Sequence, residues 1–561
     1  MQRKHKAVRA GSYFTQSLKN IGVDTVFGSV FQSLLFKYDK DILHQQLTHE
    51  QSIIHAADGY ARSTGKTGVA FITTDFGITN AITGIATAQL DSVPLLVFIQ
   101  KTNSKDECLD IATLTKPISK HYFQIEHPED FPSIIKAAGQ IASTGRKGTV
   151  IIEFSNQQVE QFDSQPIHYR ELYTTEKGLP SIPLPQLNKA VQQIKRARKP
   201  LLLIGGGVIS SGSYHILETL ISQTNIPFTS TLMGLGAIDV NHPLHLGMVG
   251  MHGTFAANRA VHRCDVLICL GVRFSDRITG KAKGFSPHSI KIQVDIDPAE
   301  VNKNIQVDIP IISDIKPVLT AMMSQLNNYD SEHWTEEVVN WRKSSPQFSS
   351  STSKLKPDDI IRIIDQYAGK NTIVATDVGQ HQMWTALHFP FRRPRQLLTS
   401  GGFGTMGYGL PAAIGAAVGK KEQTIVCFTG DGSIQMNIQE LYHVARHNLN
   451  IKIIILRNGY LGMVRQWQQL FYKNKYSQVK ISSPDFLTFA DSFGVKGYRA
   501  SNKTEAKKII RKAFASMQPA VLDFIIEEEV NVYPIVPPGG NNTDAIDGNL
   551  DQMKRRKQNH N

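Results

Sequence analysis

Short apolar runs alternate with helix-length segments along the whole chain. The runs are Val69–Thr73, Leu95–Ile99, Thr149–Phe154, Leu201–Ile204, Val266–Leu270, Ile373–Ala375, Ile425–Phe428, Ile451–Leu456 and Ala520–Ile525. A run of that length without strict alternation predicts a strand buried on both faces, and its repetition between helices predicts parallel sheets covered on both sides. Two breaks interrupt the rhythm, a polar, Pro-dotted stretch over 157–185 and a Ser-rich one over 343–357, and both read as linkers. The expectation is an α/β protein of three doubly wound parallel-sheet domains, 8–165, 186–325 and 357–535, with a polar C-terminal tail over 536–561. No short-period repeat is present, which sets solenoids and propellers aside.

Composition narrows the class. A chain of 561 residues exceeds a single hydrophobic core, and 41% hydrophobic with 19% charged residues is a globular balance. No apolar run reaches the roughly 18 residues of a membrane helix. The four cysteines, Cys108, Cys264, Cys269 and Cys427, form no CxxC pair, which argues against a disulfide framework or a structural zinc site and fits a cytoplasmic protein. The basic start Met1–Lys6 lacks the apolar stretch of a targeting signal. A formal charge of +13 and a pI near 9.3 raise nucleic acid as a partner, but the basic residues are dispersed, and the one cluster, Lys554–Lys557, sits in the polar tail as a solvated end. Neither a nucleic-acid nor a membrane partner is expected.

Candidate chemistry concentrates in the last third. The apolar run Thr424–Thr429 breaks into Gly430-Asp431-Gly432-Ser433, with helical character expected over Met436–Arg446. A strand ending in a glycine-flanked carboxylate lets backbone amides approach an anion while the Asp holds a hard cation. The next run ends at Arg457-Asn458-Gly459, which would set Asn458 beside Asp431 at neighbouring strand ends, where ligands collect in such sheets. A tight Asp-Gly turn gives the same GDG string, so the paired Asn carries the weight. Near the other end, Glu50 follows the strand-like Gln46–His49 and precedes a helix over Ser52–Ser63. An acid there ordinarily compensates the helix dipole.

GDG followed some two dozen residues later by Asn-Gly after a strand resembles the thiamine diphosphate motif. That resemblance implies magnesium on Asp431, Asn458 and the Tyr460 carbonyl, although the first of the usual Asn pair is Arg457 here. His49-Glu50-Gln51 through Arg62 resembles the pyrimidine-domain segment of the same enzymes and implies that Glu50 is the acid that activates the cofactor's aminopyrimidine, a role suited to a buried carboxyl of raised pKa. From Gly22 to Pro534 the chain is similar to acetolactate synthase catalytic subunits, most strongly in Asp377–Trp384, Gly401–Pro411 and Gly462–Trp467. By that likeness Met406 is the wedge beneath the cofactor, Gln380 and His381 touch the diphosphate with Gly432, Ser433 and Gly462, and Met463 and Trp467 stand at the substrate entrance.

The middle domain carries Gly205-Gly206-Gly207, Thr231-Leu232-Met233, Gly250–Thr254 with His252, Gly271–Arg277 and Asp295-Ile296, in the order of the family's flavin segments. The resemblance implies FAD, with its pyrophosphate on Arg273 and Arg277, which suits guanidinium geometry, and with outlying contacts from Arg146 and Asp314. The implied domain order is pyrimidine-binding, FAD-binding, diphosphate-binding. The implied reaction is decarboxylation of pyruvate and condensation with a second 2-keto acid, pyruvate or 2-ketobutyrate, toward branched-chain amino acids. A homodimer or homotetramer is implied, with a small regulatory subunit as a possible partner. Alternative readings are another thiamine-dependent 2-keto-acid decarboxylase, carboligase or pyruvate oxidase, or a catalytically weakened relative.

Four departures from the family pattern all precede residue 157. They are Gly28-Ser29-Val30-Phe31-Gln32, Thr74-Asp75-Phe76-Gly77, a shortened 100–117 segment with Asp106-Glu107, and Phe154-Ser155-Asn156. Phe31 and Phe76 are expected to intrude above the reacting carbon and to alter the acceptor pocket.

Overall fold

The computed structural model of the chain describes residues 10–29, 41–73, 75–101, 109–155, 181–327, 329–343 and 354–548. Three six-stranded sheets form, and every strand pairing within them is parallel. The first contains β1 (Thr25–Gly28), β2 (Leu43–Gln46), β3 (Gly68–Thr73), β4 (Leu95–Lys101), β5 (His121–Gln124) and β6 (Thr149–Ser155). The second contains β7 (Pro200–Ile204), β8 (Phe228–Ser230), β9 (His245–Met248), β10 (Val266–Leu270), β11 (Ile290–Asp295) and β12 (Ile309–Ile312). The third contains β13 (Ile373–Thr376), β14 (Leu397–Leu398), β15 (Ile425–Gly430), β16 (Ile451–Arg457), β17 (Lys496–Ala500) and β18 (Ala520–Ile525).

Strand order fixes where each sheet opens. The first and third share one topology, β2-β1-β3-β4-β6-β5 and β14-β13-β15-β16-β18-β17, a duplication that the sequence does not display. The middle sheet runs β12-β11-β10-β7-β8-β9. In each, the chain leaves the initiating strand in one direction and later returns to its other side, so the crevices lie between β1 and β3, β7 and β10, and β13 and β15, at the carboxyl ends of the strands. All nine expected strands are present. The strand expected at Gln46–His49 lies earlier, at β2, because His49 caps the following helix by accepting a hydrogen bond from the Gln51 amide.

The first and third domains meet along two helices, Glu50–Thr64 and Gly409–Gly419, whose backbones touch through glycine. A Cβ at Gly59 would stand 2.2 Å from the Ala412 oxygen, and one at Gly415 1.8 Å from the Ala56 oxygen. Beside this crossing Arg62 pairs with Asp58 (2.6 Å) and Asp91 (2.8 Å), and Tyr408 donates to Asp58 (2.6 Å). These charges are buried and mutually satisfied, which makes the junction specific as well as close. Within the polar tail expected over 536–561, the described residues up to 548 pack on the middle domain. Val536 is buried and donates to the Met251 carbonyl, Ile535 pairs with Ile546, and Lys281 donates to the Gly540 carbonyl. Its apolar positions, Ile535 and Val536, bury themselves against that surface.

Candidate active site

The crevices of the second and third sheets open into one continuous cavity of about 1810 Å³. A single small-molecule site usually occupies about 300–1,000 Å³, so this space suits more than one ligand. Its wall includes Gln380, His381, Met406, Asp431, Gly432, Ser433, Asn458, Tyr460, Gly462, Met463 and Trp467 on the third domain's side. On the middle domain's side it includes Gly206, Gly207, Thr231, Leu232, Met233, His252, Gly271, Arg273, Arg277, Asp295, Ile296 and Asp314, and Arg146 reaches it from the first domain. Every candidate side chain lines it except Glu50.

Asp431 follows β15 and Asn458 follows β16, and the pairing of Gly430 with Leu456 sets the two loops side by side. The Asp431 Oδ2 accepts the Gly459 amide (3.0 Å) and the Ser483 hydroxyl (2.9 Å). Burial nevertheless pushes the Asp431 carboxyl above the usual carboxylate range, the condition in which a nearby cation is most favourable. Asn458 accepts the Tyr460 amide through Oδ1 (3.1 Å) and donates to Gln380 Oε1 (3.3 Å). A Cβ at Gly462 would stand 2.1 Å from that Gln380 oxygen, so a side chain there would close the cradle. Among the described residues no group of three His, Cys, Asp or Glu side chains could hold a metal. The oxygens these lining residues offer, the Asp431 carboxylate, the Asn458 side-chain amide and the Tyr460 carbonyl, are of the type that suits a hard cation such as magnesium.

His381 lies against Gly379 and Gly430, where a Cβ would come within 2.8 Å and 3.0 Å of the ring. Burial drives its pKa to about 3, so the imidazole is neutral, and its buried Nε2 on the cavity wall has no hydrogen-bond partner among the described residues. A buried polar atom of that kind calls for a ligand. The helix expected over Met436–Arg446 is broken into 3₁₀ turns at Ile434–Met436 and Ile438–Glu440 before the α-helix Leu441–Arg446. Asn437 breaks it by turning its amide to the Gly407 carbonyl (2.8 Å), so no α-helix begins directly after the GDG loop. The preceding peptide is held by Asp377, which accepts the Gly407 amide (2.8 Å) and also the Gly409 amide (3.3 Å). Met406 is thereby fixed from behind. Asp377 opens the Asp377–Trp384 string but is given no role by it, and Ser483 carries no motif; an acid following a strand at the β13–β15 crevice is the signal that could have exposed the first.

At the middle crevice, bare backbone governs. The Gly207 amide donates to the Gly271 carbonyl (3.2 Å), and a Cβ at Gly205 would stand 2.0 Å from that same oxygen. These glycines let the loops after β7 and β10 pack backbone to backbone, and Gly206, Gly207 and Gly271 line the cavity at the topological position where dinucleotides bind. Arg277 and Arg273 have no carboxylate partner among the described residues, whereas Arg146 is already paired with Asp297 (2.9 Å) and Glu300 (2.8 Å). Asp314 caps the helix Ile315–Gln325, and Thr231 accepts the Gly234 amide. His252 meets the Pro534 carbonyl (3.2 Å).

Glu50 differs from its expectation. It is partly exposed, accepts the Asn80 amide at Oε2 (2.9 Å) and has Gly77 close by Oε1, where a Cβ would stand at 3.3 Å. The helix Asp75–Leu90 thus begins beside it. Phe31 and Asp106-Glu107 lie outside the described residues, as does the side chain of Phe76. Phe154 is buried edge-on against Phe131 (5.7 Å) and Phe98 (6.4 Å), so that departure is absorbed by the core.

Comparisons with known proteins agree with this geometry. Thiamine pyrophosphate enzyme models match in the order of the three sheets: the N-terminal TPP binding domain over 8–130, the central domain over 187–322 and the C-terminal TPP binding domain over 377–524. Fold and site thus define a thiamine pyrophosphate enzyme. The chain is 39% identical to the acetolactate synthase large subunit of Haemophilus influenzae, covering 95% of this chain and 97% of that one. It is 41% identical to a probable acetolactate synthase large subunit of Methanocaldococcus jannaschii (95% and 94% covered) and 38% identical to the acetolactate synthase isozyme 2 large subunit of Escherichia coli (96% and 100%). It belongs to the acetolactate synthase large-subunit family.

Proposed function

We propose that the chain condenses pyruvate with a second 2-keto acid to give acetolactate or its homologue, using thiamine diphosphate, magnesium and FAD in the shared cavity. The observation that carries this reading is the convergence of Asp431, Asn458 and the unpartnered His381 Nε2 on the same space as the glycine-lined middle crevice. Thiamine diphosphate, when bound, would supply the carbanion chemistry that decarboxylation of a 2-keto acid and carbon–carbon bond formation need. Asp431, Asn458 and the Tyr460 carbonyl hold magnesium against the diphosphate. His381, Gln380, Gly432, Ser433 and Gly462 surround it, and Met406 supports the ring system. Gly206, Gly207 and Gly271 would line the path of FAD, and Arg273 and Arg277 would hold its pyrophosphate.

Glu50 holds the proton at the aminopyrimidine. Because it lies off its own chain's cavity, it serves the cavity of a second copy, which makes a dimer the smallest complete unit and buries the carboxyl that one chain leaves partly exposed. Trp467 and Met463 border the route by which keto acids enter. Purified protein supplied with the three cofactors and pyruvate should form acetolactate, and Glu50→Gln should abolish it. Retained activity in that variant would remove Glu50 from the mechanism, and no product from cofactor-loaded wild type would point to a different keto acid.

A further inference from the structure

Glu440 is fully buried, yet neither the cofactor sites nor the substrate route uses it. Its two oxygens accept the backbone amides of Thr48 (3.2 Å) and His49 (3.1 Å), the residues immediately before Glu50. His443, one turn further on, shares a hydrogen bond with the Thr48 hydroxyl (3.1 Å). The third domain thereby grips the exit of β2 at three points and sets where the helix carrying Glu50 begins. A buried carboxylate taking two backbone amides, here from the exposed Thr48 and the half-buried His49, is a directional clamp. The same short segment holds the Gly407 carbonyl through Asn437, so it touches the loop of Met406 on one side and the approach to Glu50 on the other.

We propose that Glu440 is a positioning residue for Glu50, fixing from the third domain of the same chain the carboxyl that this chain delivers to its neighbour's cavity. The inference rests on the reading of Glu50 given above. It also ties the geometry of one cavity to the acid of the other, since segment 437–443 supports Met406 in its own chain and Glu50 for the partner.

Isosteric Glu440→Gln keeps one acceptor but turns an NH₂ toward an amide, which loosens the clamp without emptying the space. The first measurement is amide hydrogen exchange over residues 43–49 in cofactor-free protein, where faster exchange of Thr48 and His49 in E440Q is expected. The second is exchange of the thiazolium C2 proton of bound thiamine diphosphate, together with kcat and KM for pyruvate. E440Q should slow C2 exchange and kcat by about a hundredfold, the scale of an ångström-level misplacement, while KM and thiamine diphosphate affinity stay as in wild type. In the double variant E50Q/E440Q, C2 exchange should be no slower than in E50Q alone. Wild-type C2 exchange in E440Q, or an effect that multiplies with E50Q, would overturn the proposal. Wild-type exchange in E50Q would instead overturn the Glu50 reading and this inference with it. Should E440Q fail to fold, E440D takes its place in the cycle, and the same results decide.

Discussion

At the scale of single residues, the cation site depends on how Asp431 is held more than on the number of acids nearby. Its carboxylate is oriented by the Gly459 amide and the Ser483 hydroxyl. Ser483→Ala leaves the ligand in place but removes one of those bonds, which for a charged acceptor costs about 1.5 kcal/mol. Thiamine diphosphate affinity in magnesium, measured by calorimetry, should weaken about tenfold; unchanged affinity would mean that the hydroxyl plays no part in holding the carboxylate. The GDG string and Asn458 were legible because their types and spacing follow from strand ends. Ser483, Asn80 and Glu440 were not, because each acts across long sequence separation through a single hydrogen-bonding group that no local pattern marks.

At the scale of elements, the helix crossing of Glu50–Thr64 with Gly409–Gly419 joins the first and third domains at backbone distance. Gly415→Ala places a methyl 1.8 Å from the Ala56 carbonyl oxygen, so the helices must part. Overpacking of this kind costs about 1–3 kcal/mol, which urea unfolding should register as a lower midpoint; an unshifted midpoint would show that the crossing has slack. The nine strands visible as apolar runs all lie inside their sheets, and none is an edge strand. β2, β5 and β17 bury few of their side chains, so their sequences carry no continuous apolar signal. For the same reason the shared strand order of the first and third sheets, which includes those edges, could not be seen in the sequence.

At the scale of the whole molecule, buried titrating groups set the response to pH. His55 and His381 are pushed to about 3 and His245 and His252 to about 4 by burial, so between pH 6.5 and these values the unfolded chain binds protons that the folded one refuses. Stability therefore falls as pH drops below 6.5. Asp295 and Asp377, raised to about 6 by burial, act in the opposite sense, because the folded chain takes up their protons first. His443, also lowered to about 4 by burial, adds to the histidines, which outnumber the acids, so the net effect is a loss of stability as pH falls from 6 to 5. Urea unfolding at those two pH values should show lower stability at pH 5, and equal stability would mean that the histidines are reached by solvent.

On the proposed reading, in which Glu50 serves the cavity of a second copy, each working site draws on two chains. The most direct test mixes Glu50→Gln with Asp431→Ala, each inactive alone, after dissociation and reassembly. Half of the resulting dimers are then hybrids with one intact site of two, so acetolactate formation should return to about a quarter of the wild-type rate. No recovery, from a mixture shown to contain hybrid dimers, would contradict a site built between copies and place Glu50 and Asp431 within one chain.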